Sequence, residues 1–146
     1  MVLSHDLRKR FLVMMISTRG RYALRVMIDL AESTDEGYTA MKEVAERQGI
    51  SLKYLERILP LLVKEKLIEG VQGKGGGYRL TRRPEEIKIG DILRVTEGSL
   101  VPVACLEDNA EPCRRISECR TLPMWRKLNT IVNDFFDSIT IADLMK

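Results

Sequence analysis

The sequence predicts a mainly α-helical fold with one two-stranded hairpin and a long C-terminal helix, on three observations. Apolar residues recur at helical spacing in several separate stretches. Between Ile68 and Thr81 the period shortens around the glycine-rich run GKGGG at 73–77. A broad apolar stripe then occupies 123–138, close to the C-terminus. The 146 residues suffice for one core of ordinary size, and 45% hydrophobic with 31% charged residues is a folding composition. No apolar run approaches the 18 or more residues of a membrane span.

The first helix is expected over 18–31, TRGRYALRVMIDLA, with Thr18 as a hydroxyl suited to capping and an inner face around Val26, Met27 and Leu30. A loop over 32–38 follows, and Thr39 stands at an N-cap position with Lys42 three residues on, an incomplete capping box. The second helix runs over 40–48 and stops at Gly49. Ser51 caps a third, whose stripe is Leu52, Leu55, Ile58, Leu59 and Leu62. Pro60 lies inside that stripe, so a kink or break is expected there, with a separate short segment from Leu61 to Lys66. After the hairpin, a short helix over 89–96 closes at Gly98, and 99–120 is irregular. The last helix, 123–138, would span about 24 Å. Its aromatic load exceeds what one small module can bury, which points to pairing with a second copy.

Helix, helix, turn, helix and hairpin is the order of a winged helix-turn-helix, whose third helix enters the major groove. Ser51, Lys53, Tyr54 and Arg57 lie on or near the outer side of that helix. Arg57 suits a bidentate contact with guanine, and Lys53 suits a phosphate. The hairpin tip offers Lys74, with Arg79 on the returning strand and Arg82 and Arg83 beyond. Arg19 and Arg21 open the first helix as further phosphate contacts. A phosphate-cradling loop is excluded for the glycine run, because its lysine precedes the last three glycines and a strand follows.

Net charge is +3, unevenly spread: +2 over 1–14, +4 over 15–83 and −3 over 84–146. A basic front half facing a polyanion and a different role for the back half follow from that division. The expected parts are an extension over 1–14 preceding a native start at Met15, a DNA-binding module over 15–83, a connecting helix over 84–98, a cysteine loop over 99–120 and a dimerisation helix with tail over 121–146. Residues 1–14 lack the long apolar core and cleavage site of a secretion signal, so a cytoplasmic protein is expected.

Cys105, Cys113 and Cys119 are spaced C-x7-C-x5-C in the loop, among Glu107, Asp108, Glu111 and Glu118 and beside Arg114, Arg115 and Arg120. Three thiolates on one flexible loop can share a metal centre. Structural zinc normally takes four protein ligands at tighter spacing, and the sole histidine, His5, lies in the extension. An iron–sulfur cluster with one ligand from elsewhere fits better; free thiols or a reversible disulfide remain the alternative.

The runs ISTRGRYALRVMIDLA at 16–31, SLKYLERIL at 51–59, GVQGKGGGYRL at 70–80 and IGDILRVTEG at 89–98 resemble the Rrf2 family of bacterial transcription regulators. That resemblance implies a homodimer whose long C-terminal helices cross, bound to a palindromic double-stranded DNA operator. It also implies a cluster, [2Fe–2S] or [4Fe–4S], on Cys105, Cys113 and Cys119. The spacing is closer to the nitric-oxide-sensing branch. The histidine that serves as fourth ligand in the iron–sulfur-assembly branch is replaced by Leu122, and the acidic ligand of the nitric-oxide branch by Arg21. Glu107, Asp108, Glu111, Glu118 or a small molecule are left for the fourth site. Two other readings stay open: a cluster-free, thiol- or partner-responsive regulator, and a winged-helix protein-interaction module. No acid/base pair or activated nucleophile stands out, so an enzyme is not expected.

Overall fold

The computed structural model describes residues 15–33 and 37–146; the extension over 1–14, with His5, lies outside the described residues. Helix α1 (Thr18–Glu32) packs against α2 (Met41–Gln48) and is capped one residue earlier than expected. Ser17, not Thr18, is the N-cap, and its hydroxyl oxygen accepts from the Gly20 N–H at 3.2 Å. Asp29 is buried in the α1–α2 seam. It takes hydrogen bonds from Arg47 at 2.7 and 3.1 Å and from the Gln48 amide at 2.8 Å.

Helix α2 ends at Gly49, whose φ of 63° turns the chain, and Ser51 caps α3 (Leu52–Lys64) by accepting from the Tyr54 N–H. The break expected at Pro60 is absent: α3 runs through the proline as one helix. Its missing N–H leaves the Glu56 carbonyl without a donor on a side where both residues are exposed, so water can satisfy it. Leu59 and Leu62, flanking the proline, are buried and hold the helix to the core. Helix α3 closes at Lys66, a non-glycine residue at φ 57°. There the Leu67 N–H reaches the Leu62 carbonyl at 2.9 Å and the Lys66 N–H the Val63 carbonyl at 2.9 Å. That is a Schellman ending, fastened by the buried pair Leu62 and Leu67.

Strands β1 (Ile68–Val71) and β2 (Gly77–Leu80) form the antiparallel wing, with Ile68 opposite Leu80 and Glu69 opposite Arg79. Thr39 does not cap α2; Ala40 holds that position without a side-chain bond. The Thr39 backbone instead exchanges hydrogen bonds with Tyr78 at 2.8 and 2.9 Å, adding a single-residue third strand that ties the wing to the start of α2. Gly77 permits this approach, since a Cβ there would stand 2.1 Å from the Thr39 carbonyl oxygen.

A 3₁₀ turn (Pro84–Glu86) leads to α4 (Ile89–Glu97), which lies on α1. Residues from α1, α2, α3 and α4 share one core with Ile87 and Ile141, in which Val26, Met27, Val44, Leu55, Ile58, Leu62 and Ile92 are sealed from solvent. Each large side chain of this set contributes roughly 1.5–3 kcal/mol by leaving water. Helix α5 (Leu122–Asp137) begins one residue before the sequence pattern suggests, and a short α6 (Ile141–Leu144), not foreseen, follows. The link between them returns to the core: Ile89 donates to Ile139 and Ile141 donates to Ile87, both at 2.9 Å. Between α4 and α5 the chain is irregular apart from a 3₁₀ turn at Ala104–Leu106.

Candidate nucleic-acid interface and cysteine segment

Burying Leu55, Ile58, Leu59 and Leu62 turns Lys53 and Arg57 outward on α3. Arg57, Tyr54, Arg19, Thr18 and Ser17 line a shallow groove of about 360 Å³ between α3 and the N-terminus of α1. Arg19 and Arg57, far apart in sequence, therefore stand on one face. Ser17 and Thr18 were missed as groove residues, because their placement depends on how α1 crosses α3. Tyr54 is half-buried and set edge-on to Tyr22, ring centres 5.3 Å apart, so one side of it belongs to the core margin. Arg21 is exposed and donates to the Thr18 hydroxyl at 3.0 Å. Ser51 is exposed at the head of α3, its oxygen already used by the cap.

Lys74 is exposed at the wing tip, between Gly73 (φ 95°) and Gly75 (φ 78°). Arg79 is differently placed. Its guanidinium bonds Glu69 across the strand pair at 2.6 Å and lies 4.5 Å from the centre of the Tyr38 ring. It braces the wing, so its charge is partly neutralised before any DNA arrives. Arg82 is exposed, and Arg83 pairs loosely with Glu86 at 3.3 Å.

The three cysteines are free thiols; Cys105 and Cys113 are exposed and Cys119 is partly covered. The Cys119 Sγ lies 3.5 Å from the Thr121 hydroxyl. That bond, helped by backbone N–H groups and Arg115, holds the Cys119 thiol below its ordinary pKa. The thiols do not converge: among the described residues no three cysteine, histidine or carboxylate side chains stand together as a metal site would need. The donor set suits three positions of an iron–sulfur cluster in number, chemistry and exposure, but the segment has to close to bring them together. Leu122 is buried as the first residue of α5 and offers no donor; Arg21 offers none either.

A family model described as Rrf2, iron-dependent transcriptional regulator, matches residues 16–146. The chain belongs to the Rrf2 family. It is 37% identical over 132 residues to the HTH-type transcriptional regulator IscR of Aliivibrio salmonicida, covering 90% of this chain and 77% of that protein. It is 40% identical over 131 residues to the HTH-type transcriptional regulator CymR of Bacillus subtilis, covering 90% of this chain and 89% of that one. The solved structure of CymR from B. subtilis, described as its global cysteine regulator, superposes with a TM-score of 0.71 at 37% identity. That superposition covers 89% of this chain and 95% of CymR. This Rrf2 chain is thus a winged-helix transcription regulator, and its named relatives are regulators and not enzymes. Among the described residues no helix is long and apolar enough to cross a membrane.

Proposed function

We propose that this Rrf2 protein is a dimeric regulator that reads a palindromic operator and whose DNA binding is set by an iron–sulfur cluster on Cys105, Cys113 and Cys119. The observation that carries it is the location of all three thiols on one solvent-facing segment joining the winged module to α5. When bound, the cluster supplies an iron centre sensitive to redox state, nitric oxide or iron supply. The chain's own residues do the rest. Arg57 reads a base edge, Lys53, Arg19 and Arg21 hold phosphates, Ser51 and Tyr54 flank the reading helix, and Lys74 enters a narrow groove at the wing tip. Arg79 acts through the wing it braces. The exposed stripe of α5, with Met124, Ile131 and Phe135 more than half exposed, is the surface for the second copy.

The separation of the thiols favours a second reading, in which they act directly, as oxidisable groups without a cluster. Anaerobic purification with iron and sulfide analysis separates the two. Iron and sulfide held by the wild type and lost in Cys105→Ala, Cys113→Ala and Cys119→Ala supports the cluster; colourless protein whose DNA binding follows thiol oxidation supports the second. Footprinting at two salt concentrations tests the reading face: Arg57→Ala relaxes sequence discrimination, whereas Lys74→Ala weakens all sequences evenly and lowers the salt slope by about one. Unchanged discrimination in Arg57→Ala would count against α3.

A further inference from the structure

Glu97 is the last residue of α4, next to Gly98, from which the cysteine segment departs. Its Oε1 accepts twice from Ser17, from the backbone N–H at 3.1 Å and from the hydroxyl at 2.7 Å. The Ser17 oxygen accepts in turn from Gly20, inside the first turn of α1. Gly20 is what lets the carboxylate in: a Cβ there would stand 2.2 Å from Glu97 Oε1 and 3.2 Å from the Thr96 hydroxyl. A carboxylate at this end also suits the positive pole of the 15-residue α1. The residues fixed by this contact, Ser17 and its neighbours Thr18 and Arg19, form one wall of the groove whose other wall is Tyr54 and Arg57.

On its other side α4 is held as firmly. Arg94 bonds both Asp137 oxygens at 2.8 Å and Asn133 at 3.0 Å on α5. Arg94 and Asn133 line a cavity of about 390 Å³ together with Gly98, Ser99 and, from the cysteine segment, Glu107 and Asp108. Glu97 therefore stands one residue from the cysteine segment and one hydrogen bond from the DNA-facing end of α1.

We infer that Glu97 is a positioning residue for DNA binding: it sets the N-terminus of α1, and with it Arg19, and passes the state of the cysteine segment to the reading face. The second half of this inference rests on the cysteine control proposed above; the first half does not.

Three measurements on the full-length protein test it, using a duplex selected from random DNA by the wild type. Glu97→Ala binds that duplex about tenfold more weakly, the worth of a charged hydrogen-bond pair. Glu97→Gln, which keeps an oxygen at Oε1, stays within about threefold, and both variants keep the wild-type helical circular dichroism. Amide exchange over residues 15–22, read by mass spectrometry without DNA, quickens in Glu97→Ala and not in Glu97→Gln. Blocking the thiols with N-ethylmaleimide shifts wild-type affinity but leaves Glu97→Ala almost unmoved. Wild-type affinity and wild-type exchange in Glu97→Ala would overturn the inference. A wild type indifferent to thiol blocking would remove the cysteine control and the relay, leaving the positioning role to the exchange and affinity results. A wild type that selects no duplex would remove the DNA-binding reading itself, and unchanged exchange in Glu97→Ala would still refute the contact's role at α1.

Discussion

Asp29 and Lys66 show how single residues set the stability of the reading module. Burial works against the charge on Asp29, yet the hydrogen bonds from Arg47 and Gln48 outweigh it and hold its pKa below the ordinary carboxylate value. A depressed carboxylate stabilises the fold above its unfolded pKa and loses that contribution as pH falls through the folded one. Asp29→Ala is therefore expected to cost about 2 kcal/mol at pH 7, less than for a fully enclosed pair because Arg47 is half exposed. Urea titrations of wild type and variant should differ most at neutral pH and draw together below about pH 4; a gap independent of pH would mean that Arg47 does not respond to the charge. At Lys66 the left-handed backbone is strained for any residue with a Cβ. Lys66→Gly should raise stability by about 0.5–1 kcal/mol, seen as a higher urea midpoint at unchanged slope. Sequence reading was weakest at this scale. A serine and a threonine side by side leave the cap of α1 undetermined by one residue, and Thr39 looks like a cap until the wing is seen to pair with it. Arg79 reads as a phosphate contact because cross-strand register with Glu69 is invisible before the hairpin is aligned.

Elements were far more legible, since helical and strand periods survive local ambiguity. The order of α1 to α3, the wing and α4 follows from the pattern, and the Rrf2 resemblance agrees with the family model. Pro60 misled because a proline's cost depends on which side its lost bond faces, a property of the packed helix and not of the residue. Helix α6 is too short for periodicity to register. On α5 the pattern and the structure meet: Leu122 alone is buried, while Trp125, Leu128 and Val132 are half covered beside exposed Met124, Ile131 and Phe135. If this face seats a second copy, Ile131→Glu with Phe135→Glu should yield a folded monomer by light scattering, with the wild-type helical circular dichroism. A double variant that stays dimeric would move the interface elsewhere.

For the molecule as a whole, the placement of the thiols is what sequence could not supply. Spacing shows that Cys105, Cys113 and Cys119 share a segment, but not that the segment leaves them apart on the surface. Nor does it show that the segment springs from the helix that steadies α1, since that contact joins residues 80 positions apart. The charge division of the sequence does have a structural counterpart: Arg19, Lys53, Arg57 and Lys74, all from the basic half, are exposed on the winged module.

The strand-like link that returns the chain from α5 to Ile87 and Ile89 also bears on assembly. Because Ile141 is sealed in the same core as α1, and the Lys146 N–H reaches Glu32 at 2.8 Å, the C-terminal end of α5 is moored to the core of its own chain. A second copy seated on the exposed face of α5, as proposed above, would meet a helix already anchored at that end. Exchange of C-terminal segments between two chains would have to lift Ile141 out of each core, at a cost of roughly 1.5–3 kcal/mol for each such side chain.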